Sequence, residues 1–326
     1  MTTLVTGATG FVGSAVVRCL LEAGFDIRVM VRPQSVLSNV EGLDVEIVQG
    51  DLTQPETLQR AVQGCDTLFH VAADYRLWVR DSETLYRANA GGTQNLLQAA
   101  ADAGVSKIVY TSSVATLGLN CDGTPGNEDT PVGLENMIGH YKRSKYFAEQ
   151  VVHRMIREHN LPVIIVNPST PIGPRDIKPT PTGRVILDAA RGRMPAYVDT
   201  GLNIAHVDDV AKGHLLALRH GKIGERYILG GEDMTLREIL QVIAQITGRP
   251  APKVKIPHGV GLIIAYLSEA WAWLSRGNEP RATVDGVRMS RKRMYFSSNK
   301  AKQALGYSPR PAREALKDAV DWFLAQ

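Results

Sequence analysis

TTLVTGATGFVGSAVVRCLLEAG, residues 2–24, reads as a short apolar strand, a glycine turn and an amphipathic helix. Its glycines, Gly7, Gly10 and Gly13, follow a G-x-x-G-x-x-G spacing. Glycine at the first position permits a tight turn out of the strand. At the second it lets the backbone approach a pyrophosphate, and at the third it lets the helix pack closely on the sheet. The helix start, with Thr9, Phe11 and Val12 around it, offers free N–H groups and a positive dipole end to an anion. No acidic side chain lies in the turn to repel a phosphate. A glycine-rich strand–helix turn without a ligand would share this pattern, but here it stands where a first strand and first helix must be.

Outward from that turn, strand-like runs at 3–5, 26–31, 45–48, 67–71, 107–111 and 163–166 alternate with helix-like runs at 12–23, 55–62, 82–103 and 141–159. The alternation predicts an α/β fold with a doubly wound parallel sheet and helices on both faces. Leu161-Pro162 ends the fourth helix. After Asn167 the texture changes, and PSTPIGPRDIKPTPTG, residues 168–183, is too rich in Pro and Gly to be a regular element. Helices at 207–218, 236–247 and 313–324 and a strand at 226–229 follow. The division expected is a dinucleotide-binding domain over 1–167 and a smaller α/β lobe over 168–326, mainly for substrate, with some segments returning to the first domain.

Composition bounds the rest. The 326 residues, 44% hydrophobic and 21% charged, suit a globular protein of one large core or two modest ones. A net charge of +4, spread along the chain, gives no reason to expect nucleic acid. The basic run Arg288, Arg291, Lys292 and Arg293 reads as a solvated face, with an anionic substrate group as the other partner weighed. Cys19, Cys65 and Cys121 are scattered, so neither a disulfide framework nor a metal site is expected. A strand beginning at residue 2 leaves no place for a signal peptide, and a reducing cytoplasm is the expected compartment. The apolar stretch 259–274, with Trp271 and Trp273, is too short and too interrupted by Ser268 and Glu269 to span a bilayer. It reads as a core or subunit-interface helix, or else as an apolar lid or surface that meets a lipid-like substrate.

Chemistry concentrates in GHYKRSKYFAEQ, residues 139–150. Tyr141 and Lys145, four apart, share one helix face. An ammonium near a phenol favours the phenolate and brings it toward use as an acid–base group near neutral pH. Ser112 and Ser113 lie at the carboxyl end of the fifth strand, where ligands sit in parallel sheets. A serine there can donate to a substrate oxygen while Tyr141 exchanges its proton, or it can simply cap the strand end.

Taken together these residues resemble the extended short-chain dehydrogenase/reductases of the NAD-dependent epimerase/dehydratase group, over nearly the whole chain. The matching segments are Gly7–Gly13, GDL at 50–52, HVAA at 70–73, NAGGTQN at 89–95, TSSVATLG at 111–118, Tyr141 with Lys145, and HVDDVA at 206–211. The resemblance implies a Rossmann domain with a small substrate lobe. It implies Ser113 as catalytic serine, with Ser112 the weaker choice, Tyr141 as acid–base, and Lys145 on the nicotinamide ribose. Asp51 and Leu52 would flank the adenine, Ala72, Ala73 and Pro168 would line the cofactor groove, and His206, Asp208 and Asp209 would be structural. Within the group, HVAADYRLW and NPSTPIGPRDIKPTPTG look closely like the hopanoid-associated sugar epimerases, with dihydroflavonol-reductase-like enzymes nearby. A homodimer is also implied, through helices at 82–103 and 141–159.

The second strand ends at Arg32, where NAD enzymes usually carry an acidic residue for the ribose 2′-OH. An arginine there can pair with a 2′-phosphate, so NADP(H) is favoured over NAD(H), the alternative being a solvated arginine. The expected substrate is a small molecule, a sugar or lipid-linked polyol oxidised or reduced at a secondary alcohol or carbonyl. No transmembrane segment is expected, though peripheral membrane contact stays open. Tyr75, Trp78 and Arg175 are candidate substrate residues, and Arg175 could meet a phosphate or carboxylate or equally pin its own loop. A dehydratase would follow the serine position with an acidic pair, where this chain has Val114 and Ala115. A non-catalytic, cofactor-sensing regulator would commonly lose the Tyr/Lys pair, which is kept.

Overall fold

The computed structural model describes residues 2–275, 280 and 282–326. Along the chain the strands are β1 (Thr2–Thr6), β2 (Asp26–Val31), β3 (Glu46–Gln49), β4 (Cys65–His70), β5 (Lys107–Thr111), β6 (Val163–Pro168), β7 (Thr170–Ile172), β8 (Ala196–Val198), β9 (Gly201–His206), β10 (Arg226–Leu229), β11 (Glu232–Thr235) and β12 (Val254–Ile256). Seven of them form one parallel sheet in the order β10-β6-β5-β4-β1-β2-β3. The order reverses between β1 and β4, and the crevice beyond the carboxyl ends of those two strands is where such sheets bind ligands.

The sheet is buried on both faces because its strands alternate two apolar sets. Val5, Val29, Phe69, Val109 and Val166 face one side and Leu4, Met30, Leu68, Ile108 and Ile165 the other. The first side is covered by α1 (Phe11–Glu22), which packs Val16 and Leu20 into it. The second is covered by α2 (Pro55–Val62), by α4 (Gly92–Asp102), which follows the single turn α3 (Glu83–Tyr86), and by α5 (Gly139–His159). The helix expected over 82–103 is therefore present but divided. A π turn at Arg87–Gly91 separates α3 from α4 and turns Asn89 inward. Such bulges are frequent at functional sites.

Beyond β6 the Pro-rich stretch is more regular than its composition suggests. It contains β7 and the start of α6 (Pro181–Ala190). Thr180 Oγ1 accepts the Gly183 N–H at 3.1 Å, and Pro181 takes the first helical position, where its missing N–H costs nothing. The lobe is a three-stranded sheet, β11-β9-β7, packed against α6, α8 (Leu236–Thr247) and α12 (Ala312–Leu324) through Ile186, Ile239, Ile243, Leu316 and Phe323. β8 and β12 pair separately, beside α9 (His258–Leu274) and α10 (Val284–Met289). Two helices return to the main sheet, α7 (Val207–His220) and α11 (Asn299–Leu305), and they join α1 on its face. β10 also returns, pairing in parallel with β6.

Candidate active site

β5 ends at Thr111 and the chain passes at once into a single 3-10 turn, Val114–Thr116. Ser113 caps that turn, its Oγ accepting the Ala115 N–H at 3.1 Å. The same hydroxyl faces the Tyr141 phenol on α5 and draws its pKa down. Ser112 points elsewhere and donates to Glu149 Oε2. The structure thus turns Ser113, not Ser112, toward Tyr141.

Lys145 lies one helical turn beyond Tyr141 and is 3% exposed. Its Nζ donates to the Thr111 carbonyl at 2.9 Å and to Tyr110 Oη at 3.2 Å. Burial brings the ammonium down to about 8, against the Glu149 carboxylate, which raises it. Tyr141 is pushed above its ordinary value, first by burial and further by the Asp74 carboxylate, while Ser113 pulls it down. Lys145 is not among the groups that set this balance. The ammonium is committed to the end of β5 and to Tyr110.

A buried polar chain runs on from Tyr110. Against burial, which raises it, the Thr93 side chain lowers the Tyr110 phenol, and Thr93 Oγ1 lies 3.0 Å from His70 Nε2. His70 Nδ1 lies 2.9 Å from Thr6 Oγ1, which accepts the Ala72 N–H at 3.3 Å. Burial, with Lys145 next, holds His70 down to about 3, so the imidazole is neutral.

The glycine turn fits a dinucleotide. Gly7 has φ +71°, and a Cβ there would lie 2.7 Å from the Ala72 backbone. A Cβ on Gly13 would lie 2.0 Å from Gly7 O, so this glycine is required for closeness between helix start and turn. Gly10 is the N-cap of α1 and supplies no side chain, and the first turn, from Phe11 through Val12 and Gly13, holds no acid. The orphan N–H groups of a helix start are left open to an anion. Asn39, buried, ties the turn down, donating to Thr9 O at 3.1 Å and Arg175 O at 3.2 Å.

The other expected cofactor residues gather at the same edge of the sheet. Arg32 follows β2, is exposed, and has no ion-pair partner among the described residues. Asp51 uses Oδ1 to accept the Thr53 N–H and hydroxyl at 2.8 and 2.7 Å. Leu52 packs under Gly92, where a Cβ would meet its Cβ at 2.7 Å. Ala72 and Ala73 follow β4, and Pro168 closes β6.

Of the substrate candidates, Arg175 is otherwise engaged. Its guanidinium pairs with Asp208, and its backbone sits at φ +75°, a costly conformation outside glycine held by that pairing and by Asn39. Arg175 therefore pins its loop. Trp78 packs edge-on against Trp273 of α9 at 6.2 Å, and Tyr75 is exposed on the same loop after β4. His206, Asp208 and Asp209 fasten the start of α7. His206 Nε2 lies 3.1 Å from Asp318 on α12, and Asp209 accepts Arg310 Nε at 2.9 Å.

The chain matches the NAD dependent epimerase/dehydratase family over residues 3–230. It belongs to this family. A Synechocystis sp. protein provisionally named dihydroflavonol 4-reductase is 48% identical over 323 residues, 98% of this chain and 93% of the relative. Sterol demethylase protein B of Methylococcus capsulatus is 38% identical, with 99% of this chain and 98% of the relative covered. The crystal structure of gox2253 superposes with a TM-score of 0.89 at 59% identity, covering 99% of this chain and 98% of that one. The protein is an NAD(P)-dependent enzyme of the epimerase/dehydratase family.

Three site-forming residues had no role in the sequence reading, although Asn89 opens the matched segment at 89–95. Glu149, 2% exposed, accepts from Ser112, from Thr116 Oγ1 at 2.9 Å and from Asn167 Nδ2 at 3.2 Å, and pairs with Arg226 at 3.3 Å. Burial acts to raise this carboxyl, but His153, Ser112, Arg226 and Thr116 together hold it below its usual range. Its signal was spacing, four residues after Lys145 and eight after Tyr141 on one helix face. Asn89 exchanges hydrogen bonds with the Asp74 backbone at 2.7 and 2.9 Å and donates to Ser144 Oγ at 2.8 Å. It thereby clamps the β4 loop to α5. Asn39, the third, had no sequence signal at all.

Proposed function

We propose that this chain is an NADP(H)-dependent reductase or dehydrogenase acting at a carbonyl or secondary alcohol of an apolar molecule, lipid-linked or polycyclic. The observation that carries this reading is Ser113 facing Tyr141 at the carboxyl end of β5, with Lys145 buried one turn away and bonded to the Thr111 carbonyl. The nicotinamide, when bound, supplies or accepts the hydride. Tyr141 gives its phenolic proton to the substrate oxygen in reduction and takes one back in oxidation. Ser113 donates to the same oxygen and orients it. Lys145 holds the end of β5 in register with α5 and reaches the ribose. Arg32, exposed past β2, supports the 2′-phosphate assignment. Relatives bearing sterol and flavonoid names support an apolar substrate.

A second reading, a sugar epimerase that keeps its cofactor, is favoured by segments 70–78 and 167–183, which look like the hopanoid-associated epimerases. The two separate by stoichiometry. A reductase consumes one NADPH per product. An epimerase copurifies with tightly held dinucleotide and interconverts two isomers with no net absorbance change at the nicotinamide band. Spectra of the purified protein, followed by NADPH and NADH consumption against ketone and sugar panels, decide between them. For assembly, Phe147 of α5, 40% exposed and 6.0 Å from Tyr86, supports a homodimer paired through α4 and α5.

A further inference from the structure

Helix α9 is built inside out. Its small residues Gly261, Ala265 and Ala272 face the protein, whereas Ile263, Tyr266, Leu267, Trp271, Trp273 and Leu274 are 53–81% exposed. The inward face is close-packed, since a Cβ on Gly261 would come 3.4 Å from Val287 and 3.5 Å from Val198. The helix's acidic residue, Glu269, is turned in and accepts the Val284 N–H at the start of α10 at 2.7 Å. The exposed residues of α9 consequently carry no charge at all. Contiguous apolar surface of this kind marks an interaction site.

Charge lies along one rim. Arg288 Nη2 donates to Tyr266 Oη at 3.2 Å, which sets the α10 guanidinium beside the apolar face. The chain runs on into Arg291, Lys292 and Arg293. Arg288 and Arg293 have distant carboxylates at 3.7 and 4.0 Å, while Arg291 and Lys292 have no ion pair among the described residues. An uncharged face rich in Trp and Leu beside a cationic rim complements an anionic phospholipid surface. Pairing with a second copy through this face would instead bring two cationic rims together, with no carboxylate on the outer face of α9 to answer them. No helix among the described residues is long and apolar enough to cross a membrane, so on a bilayer α9 would lie in the plane of the interface.

We propose that α9 is a membrane-surface anchor, lying flat on an anionic bilayer with its outer face at the headgroup–acyl boundary and with Arg288 of α10 and the cations that follow α10 on the headgroups. Its last turn rests on the loop after β4, through Trp273 against Trp78 and through Arg80 Nη2 to Ala272 O at 3.2 Å. The anchor thus sets the bilayer next to the loop after β4, whose Asp74 carboxylate acts on the Tyr141 phenol.

Flotation of the full chain with equimolar phosphatidylglycerol/phosphatidylcholine vesicles, and with phosphatidylcholine alone, tests this. The wild type is expected to float with the anionic vesicles and at least about tenfold less with the neutral ones or in high salt. Its tryptophan emission is expected to be quenched by brominated acyl chains. Leu267→Glu/Trp271→Glu should abolish flotation, and Arg291→Glu/Lys292→Glu should weaken it about tenfold. These side chains are exposed, and thermal midpoint with NADPH titration verifies that the variants fold. Should a variant misfold, quenching of the wild type still decides. Absence of wild-type flotation and quenching overturns the proposal, as does undiminished flotation of a folded Leu267→Glu/Trp271→Glu variant. A wild-type dimer that this variant converts to monomer also overturns it, giving the face to a second copy.

Discussion

Lys145 Nζ lies 2.9 Å from the carbonyl oxygen of Thr111, the last residue of β5, and so fastens the helix that carries Tyr141 to the strand end that carries Ser113. One turn further along α5, Glu149 takes the hydroxyls of Ser112 and Thr116. Thr116 Oγ1 and Asn167 Nδ2 also hold the Ser113 carbonyl, at 2.8 and 3.1 Å. Two buried charges on one helix face therefore fix the geometry of the Ser113–Tyr141 pair from behind. The candidate proton donor is preorganised by groups that bond to its supports rather than to the phenol itself.

Tyr141→Phe should leave cofactor binding nearly intact and lower turnover by about two to four orders of magnitude, the usual contribution of a positioned acid–base group. Ser113→Ala should lose less, since the phenol remains, but should also remove the hydroxyl that pulls the phenol's pKa down. Steady-state rates beside cofactor titrations test both. Wild-type turnover in the Phe variant removes Tyr141 from the mechanism.

Alkaline pH should reveal Lys145. Its ammonium is depressed to about 8, so the charged form is present below that pH and lost above it. If the charge holds the ribose, kcat/KM declines above about pH 8. Glu149 raises the Lys145 pKa, so Glu149→Gln should move the decline to lower pH. Lys142 is also brought down to about 8, by burial first and by Lys292 next, and Lys142→Met serves as the control that leaves the decline in place. Lys145→Met should impair turnover and cofactor affinity together. A pH profile unmoved by Glu149→Gln assigns the decline to another group.

Arg32→Asp should weaken NADPH far more than NADH. A charge-assisted hydrogen bond contributes roughly 1.5–3 kcal/mol, and the new carboxylate repels a 2′-phosphate while accepting from a free 2′-OH. The preference ratio should move at least about tenfold. Parallel titrations of both cofactors measure it. An equal loss for the two would place the guanidinium over the adenine, and an unchanged ratio would return the NAD-retaining epimerase to first place.

Acid should destabilise the fold through two neutral histidines. Burial depresses His70 to about 3 and His214 to about 4, while the unfolded chain titrates near 6.5. Their contribution is complete above about pH 6.5 and is lost as pH falls toward 4, because the unfolded state binds about two more protons than the folded one. Unfolding free energy should fall on the order of 2–3 kcal/mol per pH unit in that window. Denaturant titrations at pH 7, 6 and 5 measure the slope. Half the slope would mean that one imidazole is charged in the fold, and a flat profile that both are.

The parallel sheet, the glycine turn and the Tyr141–Lys145 spacing were legible because each is local, a periodicity or a short spacing within one element. β2, β5 and α2 match their expected bounds residue for residue. What could not be read is contact between distant segments. Nothing in residues 139–150 shows that Lys145 would bond Thr111, or that Glu149 would reach Ser112 and Arg226. Arg175 was ambiguous for the same reason, since its partner Asp208 lies 33 residues away. Pro-rich 168–183 misled in a different way. Proline at a first helical position is a helix start, and only the Thr180 cap distinguishes it from a breaker.

β10 arrives 58 residues after β6, and everything between them but α7 belongs to the lobe. A ribosome that has released only residues 1–167 has therefore made a sheet whose outer edge, β6, carries Val163, Ile165 and Val166 with no neighbour on one side. Such an edge is a template for pairing with other chains. The loop that closes it is long, and long-range parallel pairing is slow. The main sheet therefore gains its last strand only after most of the lobe has been made, and a fragment cut after Asn167 should aggregate instead of binding dinucleotide.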